Sequence, residues 1–196
     1  MTASVISDRQ FEIIEAAGEI LSASGVSGLT IKNLAQEMKF SESAIYRHFS
    51  SKEEIVVAML EYLATNMDER LSKVISNQKN PQVNLEAIFQ NQFAFFAKNP
   101  HFVVAVFSDG LMEASPKINA AILHIMQVMM KHLMPVIHQG QQQGFFTHAV
   151  ASEEMVHIIM GSFRLQMFKW RIANFQFDLE RQGGSMLHAI STLLKK

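Results

Sequence analysis

The chain has 196 residues, of which 48% are hydrophobic and only 18% charged, with a formal net charge of −1. That composition supplies a large buried core and excludes a disordered chain, while the near-neutral total argues by itself against a nucleic-acid partner. The absence of cysteine excludes disulfides and thiolate chemistry and suits a cytoplasmic protein.

Taken in order, the segments read as helices. Ser7 and Gln10 have capping-box spacing, with Ile6 and Phe11 at the flanking staple positions. Ile13, Ile14, Ala17, Ile20 and Leu21 then recur at helical spacing until Gly25. Thr30 is expected to cap a short second helix and Ser41 a third. Ser51 with Glu54 forms a second capping box, which starts a long helix running to about Ile75. SNQKNPQ is the linker-like stretch of the first half. Asn80, Asn99 and Ser115 each precede a proline, so helices are expected near 82–97, 100–112 and 116–142, the last kinked at Pro135. QGQQQGFF breaks the pattern. Ser152 is then expected to cap a helix to about Asn174, and Asp178 to open the final one. The fold class is all-α: a three-helix head on a larger helical bundle, about nine helices in all.

Helices two and three, joined by about four residues, have the helix-turn-helix plan. At 100° per residue, Ile45 and Phe49 face helices one and two, whereas Ser43 and Arg47 point outward between Ala44 and Tyr46. Small residues would let the backbone approach a major groove, and Arg47 can donate a bidentate pair to a guanine edge. Thr30, Ser43, Tyr46, His48 and Lys52 suit phosphate contact. Charge is the difficulty: residues 1–62 hold five Lys/Arg against nine Asp/Glu. The acids of helices one and four can face away from DNA, but Glu42 lies close to the reading face. Spacing alone leaves open an ordinary three-helix core with a solvated face.

The segment TIKNLAQEMKFSESAIYRHFSSKEEIVVAML resembles the DNA-binding region of the TetR family of bacterial transcriptional regulators. The resemblance rests on Thr30, Leu34-Ala35, Tyr46, His48-Phe49 and Lys52, within residues 7–62. It implies a helix-turn-helix DNA-binding domain over 1–51 and a ligand-binding and dimerisation domain over 52–196, linked by helix 52–75. It also implies a homodimer, a palindromic double-stranded DNA operator, and a small molecule that releases the DNA.

From Leu63 onward the chain holds twelve of fifteen Phe and ten of thirteen Met. Core packing accounts for most such residues, but flexible Met walls adapt to varied apolar guests. A pocket for a largely apolar ligand is expected to be lined by Phe93, Phe96, Phe107 and Met126, with Met130, Phe163 and Met167. SEEMVHIIMGSFRLQMFKW is apolar almost all round and needs neighbours on most of its surface. The resemblance puts a dimer's four-helix bundle on this helix and the last. The expected interface residues are Val156, Met160 and Phe163, with Gly183, Met186, Leu187, Ile190 and Leu194 on the last helix. Gly183-Gly184 is read as spacing for close helix crossing, against a break in the helix.

No cofactor or metal is expected. Glu154 and His157 form a single E-x-x-H, and His124, His132 and His138 have no ligand-pair spacing. No P-loop, G-x-G-x-x-G or G-x-S-x-G appears, so an enzyme is not expected. The longest uninterrupted apolar run, Phe102 to Phe107, is far short of a membrane span, and no secretory signal opens the chain. The alternative to a ligand-responsive repressor is an all-α carrier of apolar ligands whose helix-turn-helix is only structural.

Overall fold

The computed structural model describes residues 6–107, 109–112 and 115–195. Its helices are α1 (Asp8–Gly28), α2 (Ile31–Glu37), α3 (Glu42–Tyr46), α4 (Lys52–Val74), α5 (Pro81–Lys98), α6 (His101–Phe107), α7 (Asp109–Met112), α8 (Pro116–Gln142), α9 (Ser152–Ile172) and α10 (Leu179–Leu194). Among the described residues the only β pairing is an isolated antiparallel bridge between Phe146 and Lys195. The expected all-α class is what is found. The chain forms two compact units: one up to Ala64 together with Pro100–Ile125, the other Thr65–Asn99 together with the chain from Met126 onward.

In the first unit, local chemistry sets the helix starts. The Ser7 hydroxyl accepts from the Gln10 N–H and the Gln10 side chain accepts from the Ser7 N–H, so the expected capping box is complete. Helical geometry breaks at Gly25 (φ +67°), which an L side chain would resist, and helical bonding then resumes to Gly28. Thr30 accepts from the Asn33 N–H at 3.1 Å and Ser41 from the Ala44 N–H at 3.2 Å. Ile13, Ile14, Ala17, Leu21, Leu34, Ile45 and Phe49 form the core beneath them. Helix α6 packs on α1. Gly18 permits this, because a Cβ there would lie 2.7 Å from Cδ2 of His101.

The second unit is built around aromatic rings. Phe89 and Phe93 of α5 each lie 5.4 Å from the ring of Phe163 on α9, and Phe96 lies 6.5 Å from it. A Cβ at Gly183 of α10 would overlap the Phe93 ring. Helix α10 runs unbroken through Gly183 and Gly184. Close crossing at Gly183 is therefore real, but it is made with α5 of the same chain. Gly140 of α8 likewise faces a ring, that of Phe146 in the segment after the helix, which a Cβ would overlap.

Three expected caps take other forms. Asn99 closes α5, its Nδ2 donating to the Phe95 carbonyl, rather than opening α6. Ala151, not Ser152, is the N-cap of α9. The Ser152 hydroxyl instead donates to buried Gln141, whose Nε2 holds the Thr147 and Val150 carbonyls at 2.9 Å. Burial of the Gln141 amide drew the serine inward, because an unpaired buried acceptor costs more than a missing cap. Glu54 is the third, and belongs to the site below. Helix α8 continues through Pro135. By length and mean hydropathy (1.4) it could cross a membrane, a property hidden from a count of uninterrupted runs. Here its apolar positions Ile118, Ala121, Met129, Leu133 and Ile137 are buried against protein.

Replacing Gly140 or Gly183 by Ala should each lower stability by about 1–3 kcal/mol, since overlap with a ring outweighs the helix-propensity gain. Urea unfolding midpoints at or above that of the parent would contradict this reading of the two ring contacts.

Candidate functional site

The outward face of the head is assembled by the two buried anchors of α3. Ile45 is fully buried and Phe49 is 3% exposed, which turns the intervening residues outward. Ser43 and Arg47 are exposed, Tyr46 is 51% exposed, and Ala44 and His48 are half-buried. Arg47 is the C-cap of α3, still in helical conformation. Ser43 shares a hydrogen bond with Ser41 (Oγ to Oγ 2.9 Å). Thr30 and Lys52 are exposed at the starts of α2 and α4. The structure thus places all seven predicted DNA-facing residues on the first unit, with Ala44 and His48 less open than the others.

Most acids of this unit have hydrogen-bond or ion-pair partners within it. Glu12 pairs with Arg9, and Glu15 and Glu19 lie 3.4 Å from the two ring nitrogens of His101. Glu61 bonds His124 at 2.8 Å, and Glu53 accepts from the Ser115 hydroxyl and lies 3.4 Å from Lys117. The second half of the expected Ser51–Glu54 box is displaced. Glu54 N–H donates to the Ser51 hydroxyl, but its carboxylate accepts from the N–H (2.6 Å) and hydroxyl (2.7 Å) of Ser50 instead. Ser50 offers two donors where Ser51 offered one. Among the described residues, no ion pair is formed by Arg47 or Lys52. Arg47 and Lys52 are open to an anionic partner, as are Lys32 and Lys39 of the same unit.

In the second unit Asp68 accepts from Lys131 at 2.8 Å and lies 2.6 Å from Nε2 of His132. Acids at 53, 61 and 68 on α4 therefore meet α8 partners at 117, 124 and 131–132. The sequence reading missed this series, although its spacing of seven or eight residues on both helices was visible. The Asp68 carboxyl is held below its usual range by the Lys131 ammonium and then by His132. Glu53 is held low by the Ser115 hydroxyl, and Glu54 by the hydroxyl and then the N–H of Ser50.

The residues expected to line a pocket separate. Phe93, Phe96, Phe163 and Met167 are buried in the second unit, the three rings in one cluster. Met126 is 48% exposed and Met130 half-buried, so these two do not join that enclosed cluster. The side chains of an amphipathic helix divide between core and surface, and both lie toward the outer side of α8. Phe107 is half-buried and belongs to the first unit.

The expected interface residues mostly point inward. Val156, Phe163, Gly183, Leu187, Ile190 and Leu194 are buried within the single chain, and Met160 and Met186 are half-buried. The apolar residues that α9 leaves exposed are Ile158, Leu165, Phe168 and Ile172, at 52%, 59%, 47% and 65%. A helix apolar on every side does not reveal from its periodicity which stripe meets its own core. The structure makes that choice.

A helix-turn-helix head with unpaired cations on its reading face, carried by an all-helical body, is the architecture of a DNA-binding regulator. Residues 13–59 match the family model for bacterial regulatory proteins of the tetR family, and residues 60–192 match that for the C-terminal region of YsiA-like proteins. The chain belongs to the TetR family of bacterial transcriptional regulators. It is 26% identical over 179 residues, 91% of each chain, to the nucleoid occlusion factor SlmA of Vibrio vulnificus. Its fold is similar to that of FadR from Bacillus subtilis in complex with stearoyl-CoA (TM-score 0.82, 18% identity, 92% of this chain and 97% of that one). It is equally similar to the ketosteroid regulator KstR2 of Mycobacterium tuberculosis (TM-score 0.81, 19% identity, 100% of both chains).

A carboxyl whose pKa is depressed on folding contributes stability above its unfolded pKa and loses it as pH falls through the folded one. Asp68→Asn should therefore be less stable than the parent near neutrality, with the two converging as pH falls from about 5 to about 2. A urea-midpoint difference that stays constant over that range would contradict the Asp68–Lys131–His132 assignment.

Proposed function

We propose that the protein is a homodimeric repressor that holds a palindromic operator and is released from it by a largely apolar small molecule. The observation that carries this reading is the outer face of α3, small and polar, with Arg47 unpaired above two buried anchors. Arg47 reads a base edge. Thr30, Ser43, Tyr46, His48 and Lys52 hold phosphates, and Ala44 admits the backbone to the groove. The protein works at the chromosome, in the cytoplasm.

The exposed stripe of α9, Ile158, Leu165, Phe168 and Ile172, is the core of the dimer contact, to which α10 adds Leu193, 78% exposed. Gly161 and Gly184 open space on the two helices, since a Cβ at either meets nothing within 4 Å. This set replaces the inward-facing residues expected from periodicity. The ring cluster of Phe93, Phe96 and Phe163, with Met167, receives the effector. The apolar molecules in the names of the two similar regulators, stearoyl-CoA and ketosteroid, support an apolar guest. Ligand biases a two-state equilibrium in the spacing of the two heads, with α4 as the lever. A second reading, a nucleoid occlusion factor, is favoured by the likeness to SlmA over 91% of both chains.

Titration against duplexes carrying a palindrome from the region upstream of its own gene tests the DNA contacts. Arg47→Ala should cost about 1–3 kcal/mol and relax preference at one position of each half-site. Lys52→Ala should weaken every sequence alike and reduce the salt slope by about 1. Equal, weak binding of the parent to all duplexes would instead favour an apolar-ligand carrier with a structural head.

For the dimer, Leu165→Glu combined with Phe168→Glu should give a folded monomer by light scattering at about micromolar concentration, because two charges would be buried unpaired in the contact. A dimer that survives this change would place the interface elsewhere.

A further inference from the structure

Two amide side chains of the second unit are buried with a donor unused. Gln92 is 2% exposed and Gln166 is 7% exposed, and the Nε2 of each reaches no acceptor. Buried side-chain donors are nearly always paired, and an exception inside a core calls for a reason. Both glutamines belong to the helices that make the ring cluster. On α5, Gln92 lies about 60° round the helix from Phe89 and about 40° from Phe96, and both of those rings contact Phe163. On α9, Gln166 lies about 60° from Phe163 itself and about 40° from Trp170. Each helix therefore carries one unpaired amide on the same face as a ring of the cluster.

The charge of a matching guest follows from what else is buried there. Among the described residues, the other buried polar residues of this unit are Asn84, Gln141, Ser152 and Ser191, all neutral. The Arg70 guanidinium, 4.1 Å from the Phe95 ring, is engaged by Asn66 and Asn91, so an ionised carboxylate or phosphate among the rings would lose its hydration and have to compete for that cation, a cost that two neutral amides do not offset. A neutral carbonyl oxygen has the opposite balance: it loses little on leaving water and accepts from two donors at once.

We propose that Gln92 and Gln166 form the polar end of the effector site, and that the effector is an uncharged apolar molecule bearing a carbonyl acceptor, such as a ketone, ester, lactone or amide. This rests on the reading that the ring cluster receives the ligand. It adds residues that the hydrophobic pattern did not mark and excludes a free acid as the preferred guest.

The test uses the full-length protein loaded with Nile red and challenged with three probes of similar length: 2-undecanone, undecane and undecanoate. The ketone should displace the dye at about tenfold lower concentration than either of the others. The carbonyl stretch of bound 2-undecanone should fall below its value in hydrocarbon solvent, which reports the hydrogen bond in the unmodified protein. Gln92→Met with Gln166→Met keeps side-chain volume while removing both donors. It should bring the ketone to the level of undecane and return the stretch to its hydrocarbon value, with the affinity for undecane unchanged. If ketone and alkane displace the dye equally, or the stretch is unshifted, the amide assignment fails while the apolar site stands. If undecanoate binds most tightly, the neutral class is wrong. If neither the dye nor any probe binds, the ring cluster is not a ligand site and both readings fall.

Discussion

A helix of five residues has no stability of its own, so α3 exists only because Ile45 and Phe49 are buried beneath it. Everything proposed for the head depends on that anchoring. The two apolar residues fix the rotation of the helix, and rotation decides which side chains reach outward. Ser41 adds the start, satisfying the Ala44 N–H that would otherwise be unpaired. Loss of either anchor would leave Arg47 and Tyr46 chemically intact but without a direction.

The same logic resolves the charge of the head. Nine acids against five basic residues in the first 62 look hostile to DNA. The field at the reading face depends on where those charges sit. Most of the acids are bound to His101, His124, Lys117, Ser115, Ser50 or Arg9. Arg47 and Lys52 remain uncommitted, and within a Debye length of a phosphate it is local charge that counts. Glu42 in the first turn of α3 is the residue that works against this arrangement, and its position at a helix N-terminus accounts for its presence.

Features set by neighbours in sequence were legible in advance. Caps at Ser7, Thr30, Ser41, Asn80 and Asp178 depend on contacts three residues away, and all five form. The anchors and outer face of α3 follow from helical angle alone. What was not legible depends on partners distant in the chain. Ser152 looked like a cap until Gln141 competed for its hydroxyl. Gly183 looked like spacing for a second chain until the Phe93 ring filled that space. Helix α9 is apolar on every side, so periodicity could not separate Val156 and Phe163, which face inward, from Leu165 and Phe168, which do not. Met126 and Met130 lie outside the buried ring cluster for the same reason: composition marks an apolar helix, not the face it buries.

The central claim is that this head reads DNA as one half of a symmetric pair. Selection of bound duplexes from a random pool by the full-length protein tests it most directly, because it presumes no operator. The account predicts enrichment of a two-fold symmetric site whose half-sites repeat after about one helical turn or a multiple of it, with a guanine among the positions selected in each half. A pool that shows no enrichment, or only an unpaired half-site, would contradict it.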